Sequence, residues 1–281
     1  MSSVLPPSDQ TAEPRRLIDP AALQQHRARA RHMGFAAPLH QIAADEIHDR
    51  LSEINRSFTK LAIVTPWPEF WAGAFPGAHV TADSDLLDLP EGLDLVIHTM
   101  GLHWAEDPVG QIVQCARALK PDGLFIAACF GGETLTELRD VLTRAEIEAT
   151  GGLSPRVLPM GEVHDLGGLV ARAGLALPVA DHLSLPASYR DLFHLATDLR
   201  AMGETNALTE RLHRPSRREI FARASADYAA HYPDPADPAR IIATFDLIFL
   251  TGWAPDASQQ KPLRPGTANV PVADVLTPRK P

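Results

Sequence analysis

KLAIVTPWPEFWAG, residues 60–73, begins as the first strand of a nucleotide-binding α/β unit and then departs from one. Leu61, Ala62, Ile63 and Val64 form a short apolar run of the kind buried in a parallel sheet. A loop that receives a phosphate or carboxylate needs glycine next. Glycine has no side chain, takes positive φ, and lets amide N–H groups at a helix start point at the ligand. Here the loop reads Thr65-Pro66-Trp67-Pro68-Glu69, and the first glycine is Gly73. Pro66 and Pro68 each remove an N–H donor and disfavour helical geometry in the residue before them. Trp67 sets a large ring where a ligand needs bare backbone. Two readings follow: Trp67 and Trp71 plug the site as core aromatics, or they offer a stacking surface to a different ligand.

Downstream, strand and helix patterns alternate as in a parallel sheet. AHVTAD (78–83) reads as a second short strand ending on Asp83, and GLDLVIHTMGLHW (92–104) contains the clearest strand. Asp107-Pro108 opens the helix GQIVQCARAL, KPDG is a turn, and LFIAACF is a further buried strand. Upstream, 19–32 and 38–55 have helical patterns. Beyond residue 130 helices are expected over 134–149, 165–173, 188–202 and 216–232, before a long apolar strand at 241–253. Asp165 is the expected N-cap of the second, and Gly131-Gly132-Glu133-Thr134 a strand-to-helix turn. The organisation expected is a disordered segment 1–16, a main domain 17–256 with a helical insertion at about 150–235, and an extended Pro-rich tail 257–281.

The 281 residues are 45% hydrophobic, enough for one large α/β domain, and carry a formal charge of −9. That charge argues against nucleic acid or an anionic membrane as a partner. Arg27, Arg29 and Arg31, and again Arg214, Arg217, Arg218 and Arg223, have helical spacing. They read as solvated helix faces, with a docking surface for an acidic partner as the alternative. Cys115 and Cys129 lie in apolar surroundings and read as buried, reduced thiols. No run reaches the roughly 18 apolar residues of a membrane span, and MSSVLPPSDQTAEP lacks the apolar core of a secretory signal. The expected location is cytoplasmic.

DLVIHTMGLHWAEDP and LKPDGLFIAACFGGETLTELR resemble the fourth and fifth strands of the S-adenosylmethionine-dependent methyltransferase superfamily, each with the segment after it. GGLSPRVLPMGEVHDLGGLVARAG, DLRAMGETNAL and FLTGWAPDASQQKPLRPGTA resemble one branch of it. That branch contains a mitochondrial complex I assembly factor that acts on an arginine, alongside the carrier-protein methyltransferase of biotin synthesis. The resemblance implies an α/β, Rossmann-like methyltransferase fold, with a mostly parallel sheet and an added helical region before the final strands. It implies S-adenosylmethionine as cofactor for an active member, and a respiratory complex I subunit as a possible protein client.

Against that resemblance the first half is truncated. Only about thirty residues separate Val64 from Asp94, too few for two crossover units of roughly 10–12 residues each with their strands. The missing unit would carry the loop that grips the adenine. The candidate pocket is Thr65, Trp67, Asp83, His98, His103 and Trp104. Asp83 or Asp85 stands about where an acidic residue holds ribose hydroxyls, or both are surface carboxylates. His103 is the candidate general base, with Glu106 or Asp107 as its only partners visible by spacing; otherwise it packs with Trp104. No histidine or cysteine spacing suggests a metal. The expectation is a methyltransferase-fold protein with a degenerate cofactor site and no cofactor, acting on a protein client. The alternative is an active methyltransferase or arginine-modifying enzyme with an altered pocket.

Overall fold

A computed structural model of the chain describes residues 16–259. Two helices come first, α1 (Pro20–Met33) and α2 (Pro38–Glu53). Asp19 caps α1 by accepting from Ala22 N at 3.0 Å, and Pro20 supplies a first-turn φ without a wasted N–H. Strand β1 (Leu61–Val64) follows, then α3 (Pro68–Ala74) and β2 (His79–Thr81). The chain passes from Thr81 into β3 (Leu93–Thr99) without a helix, and β2 is left at the sheet edge. This is the truncated first half expected from the spacing.

All seven residues of β3 are buried, as befits a central strand covered on both faces. A short 3₁₀ turn, Leu102–Trp104, leads to α4 (Pro108–Ala118) and β4 (Leu119–Gly131). KPDG does not separate them as a free turn. It lies within β4, with Asp122 at φ 61 and a register shift opposite Leu93 to Leu95. The remaining elements are α5 (Thr136–Thr150), α6 (Val163–Arg172), β5 (Ala176–Tyr189), α7 (Leu192–Met202), α8 (Arg218–His231), β6 (Pro233–Asp234) and β7 (Asp237–Trp253).

The sheet order is β2-β1-β3-β4-β7-β5, with β6 pairing on β7. Pairs β1–β2, β1–β3 and β3–β4 are parallel; β7 runs antiparallel to β4, β5 and β6 and is alone in that direction. One face packs under α2, α5, α7 and α8, around Trp71, Phe245 and Phe249. The other packs under α4 and α6, around Phe125, Ile112 and Val170.

Two expectations need correction. The stretch 150–235 is not wholly helical, because it holds the fourteen-residue strand β5, which takes in Ser188 and Tyr189 at the start of the helix expected over 188–202. Asp165 does not cap α6; Glu162 holds the cap position without a side-chain bond, and Asp165 sits in the first turn. The disordered segment expected over 1–16 and the extended tail expected over 257–281 lie outside the described residues except at their inner ends, 16 and 257–259. At the second of these ends, Gln259 Nε2 donates to Asp122 Oδ1 at 3.0 Å.

Candidate functional site

The carboxyl ends of β1, β2 and β3 face a cleft of about 740 Å³, bounded on its far side by α1. Open α/β sheets hold their ligands at such strand ends. Residues 65–68 after β1 offer no free backbone donor there. Pro66 and Pro68 have no N–H, Thr65 N donates to Thr81 O at 3.0 Å, and Trp67 N donates to Thr65 Oγ1 at 3.2 Å.

Trp67 is 2% exposed and stacks on Phe35, with ring centroids 3.9 Å apart. Arg31 lies over the Trp67 ring at 5.0 Å and donates through Nη2 to Pro66 O at 2.8 Å. Gly203, ending α7 at φ 80, leaves room for the ring: a Cβ there would stand 2.8 Å from Trp67 Cζ2. Trp71 is fully buried and donates through Nε1 to His40 Nδ1 at 3.1 Å. Burial holds His40 neutral, its pKa pushed down to about 3. Both tryptophans are thus core aromatics.

Asp83, just beyond β2, is not a solvated carboxylate. It receives Arg27 Nη1 on Oδ1 at 3.0 Å and Arg27 Nη2 on Oδ2 at 2.8 Å, and its side chain is 8% exposed. Arg27 turns inward and is half-buried, so the solvated-face reading fails for it, whereas Arg31, one helical turn further on, stays exposed while its guanidinium reaches Pro66 O and the Trp67 ring. Gly101 makes room for the pair, since a Cβ there would come within 2.6 Å of Asp83 Oδ2. Asp85 is exposed and meets Arg16 at 3.4 Å. Behind Asp83, Gln111 Nε2 donates to the carbonyls of Asp83 and Ser84, while Gln111 Oε1 accepts from His98 Nε2 at 2.7 Å. Burial lowers the pKa of His98, and its Nδ1 has no partner among the described residues.

His103 meets neither Glu106 nor Asp107. Glu106 accepts from Leu17 N and Ile18 N, and Asp107 caps α4 through Gly110 N at 2.8 Å. The partner of His103 is Glu204, just past the end of α7: Nε2 lies 3.1 Å from Glu204 Oε2, which also accepts from Trp104 Nε1 at 2.7 Å. Burial alone would raise the pKa of Glu204, but the charge and hydrogen bonds of His103, the Trp104 bond and the charge of Arg27 outweigh it, and the net shift is downward. The His103 side chain is 3% exposed, so it is walled off from solvent.

A second cavity, of about 300 Å³, lies on the other side of Trp104, walled by Phe130, Leu138, Leu199, Phe245 and Glu204. Trp104 lines both spaces. Of the candidate residues, Thr65, Asp83 and Trp104 therefore border the cleft, whereas Trp67, His98 and His103 are packed behind its walls. Cys115 and Cys129 are free and buried, and burial pushes the Cys129 thiol up to about 12, so neither serves as a nucleophile. Among the described residues no three His, Cys, Asp or Glu side chains are grouped to hold a metal, and no helix is long and apolar enough to cross a membrane.

Residues 47–127 match the model of a methyltransferase domain. With its sheet order and strand-end cleft, the chain belongs to the S-adenosylmethionine-dependent methyltransferase superfamily. Within it the chain is similar to proteins named "Arginine-hydroxylase NDUFAF5, mitochondrial". Identity with that of Dictyostelium discoideum is 43% over 178 residues, covering 63% of this chain and 40% of the relative. With that of Danio rerio it is 38% over 201 residues, covering 71% and 62%. The malonyl-[acyl-carrier protein] O-methyltransferase of Laribacter hongkongensis is 30% identical over 190 residues, covering 67% of this chain and 61% of the relative. The chain thus spans less than two thirds of the length of these relatives.

The cytoplasmic expectation is corrected by these names, which point to mitochondria. It rested on reduced, buried thiols and the absence of a secretory signal. Neither property separates the cytosol from another reducing compartment.

Proposed function

We propose that this protein is a methyltransferase-fold binding factor whose ordinary S-adenosylmethionine site is closed, and that its task is to hold a protein client. The supporting observation is that the two anchors of an ordinary cradle are already spent. No amide of residues 65–68 is free for the methionine carboxylate, and the Asp83 carboxylate that would hold the ribose is filled by Arg27. A cofactor whose ribose is held by Asp83 would have to break that pair. The resemblance of the later segments to the complex I assembly-factor branch makes a respiratory complex I subunit the client. Isolation of the tagged full chain from respiring cells, with crosslinking, is expected to retain such a subunit in near-equal amount. Recovery of the chain with no complex I subunit crosslinked to it overturns the client assignment.

A second reading is an arginine-modifying enzyme, which the names of the relatives favour. The apolar cavity would then receive the reacting side chain, with Glu204 in its wall. Turnover that falls in Glu204→Gln, with folding intact, would support this reading over the first.

A further inference from the structure

We infer that the mouth of the apolar cavity beside Glu204 docks an acidic segment of the client, which inserts one large apolar side chain. The inference rests on the client-binding reading and gives it a place.

The cavity wall is mostly apolar, with Phe130, Leu138, Leu199, Phe221 and Phe245 among its members. Its charged members are disposed unequally. Glu204 is committed to His103 and Trp104, and Arg156 is committed to Glu146 through paired bonds of 2.8 and 3.0 Å. Arg200 also lines the cavity, is exposed, and has no side-chain partner among the described residues.

More unneutralised charge stands beside it. Arg218 opens α8 three residues before the cavity-lining Phe221, which puts the two on one helical face. Ser216, just ahead of that helix, accepts from Arg156 Nη1 at 3.0 Å, so the segment carrying Arg214 and Arg217 is tied to the cavity rim. Arg214 and Arg218 are exposed and without partners among the described residues, and Arg217 bonds only the carbonyl of Ala149. The neighbouring carboxylates Glu148 and Glu219 are both taken by Arg223.

A patch of free guanidinium groups is conspicuous on a chain whose formal charge is −9. Charge complementarity favours an acidic partner and repels a basic one. The cations are spread over Arg200 and the 214–218 segment, which suits several carboxylates along a peptide better than one small head group. The adjoining apolar cavity suits an anchor side chain, since buried apolar anchors ringed by polar contacts carry most interface energy.

The test is fluorescence titration of the full chain at low salt with synthetic peptides. The probes are a Glu/Asp-rich peptide with a central Phe, the same peptide with Ala in that place, and a Lys-rich peptide with Phe. Decanoate serves as a small amphipathic anion. The acidic Phe peptide is expected to bind at least about tenfold more tightly than either other peptide, and to weaken as salt rises. Arg214→Glu/Arg218→Glu, both at exposed positions, removes that advantage, as does Arg200→Glu. Ala196→Trp, which fills the cavity, abolishes the preference for Phe over Ala while leaving the charge preference.

Equal binding of the acidic and Lys-rich peptides overturns the proposal, as does binding indifferent to charge reversal, or binding of decanoate alone. Should a complex I subunit still crosslink to Arg214→Glu/Arg218→Glu and to Arg200→Glu as it does to the unaltered chain, the client reading stands and this surface is wrong. Should none crosslink to any form, the client reading itself falls.

Discussion

Asp83 and Arg27 meet in a two-pronged pair, Oδ1 to Nη1 at 3.0 Å and Oδ2 to Nη2 at 2.8 Å, with side chains 8% and 13% exposed. Its partner gone, the carboxylate would be stranded in a largely desolvated place. Arg27→Leu is expected to cost about 3 kcal/mol, toward the lower end for breaking a buried pair, by urea unfolding. Adding Asp83→Leu is expected to recover most of that loss, because the cost belongs to the unpaired charge. A double variant no more stable than Arg27→Leu would show that the pair is not the stabilising unit.

Gly203 and Trp67 are fitted to each other. An alanine at 203 must hold φ near 80 and press its Cβ to 2.8 Å from the indole. Gly203→Ala is expected to destabilise by about 2 kcal/mol, combining left-handed strain with overpacking. In a Trp67→Phe background, which removes the part of the ring that Cβ would strike, the same change should cost less. Thermal unfolding of the four proteins of this cycle measures the difference. Equal costs in both backgrounds would mean that the ring does not abut Gly203.

His40 gives the fold a defined acid response. Buried beside Trp71, its pKa is pushed down to about 3 from an ordinary 6.5. Between these values the unfolded chain takes up a proton that the folded chain refuses. Stability contributed by neutral His40 is therefore complete above pH 6.5 and drains away as pH falls toward 3. His40→Gln, which can still accept from Trp71 Nε1, is expected to lower stability near neutrality yet flatten its decline below pH 6.5. Unfolding free energies in urea across that range check this, and identical slopes for both proteins would contradict it.

Much of the fold could be read from the chain because its central strands are simple. LVI in β3 and LFIAACF in β4 are buried on both faces, and such runs need no tertiary information to be seen. The broken loop at Thr65–Pro68 was equally plain, since lost glycines and added prolines act on the backbone locally. What escaped depended on distance. β5 carries Pro178 and Pro186 and alternates exposed His182, Ser184 and Ser188 with half-buried residues, a pattern that an edge strand tolerates and that resembles a loop. Glu204 lies 101 residues from His103, so no spacing rule joins them. The available signal was an acid directly after the helix-stopping Gly203, within a segment already singled out by resemblance. Arg27 looked like a solvated helix residue because nothing in its own helix reveals the carboxylate that approaches from β2.

Whether the cleft accepts the superfamily's cofactor decides between a closed site and a working one. Calorimetric titration of the full chain with S-adenosylmethionine, and separately with its demethylated product, is the direct measurement. With no free amide at residues 65–68 and Asp83 held by Arg27, no heat and no thermal shift are expected even at millimolar ligand. Binding with a micromolar dissociation constant, about −8 kcal/mol, would mean that the Pro/Trp loop and the Asp83–Arg27 pair reopen into a working cradle. The closed-site account would then be wrong.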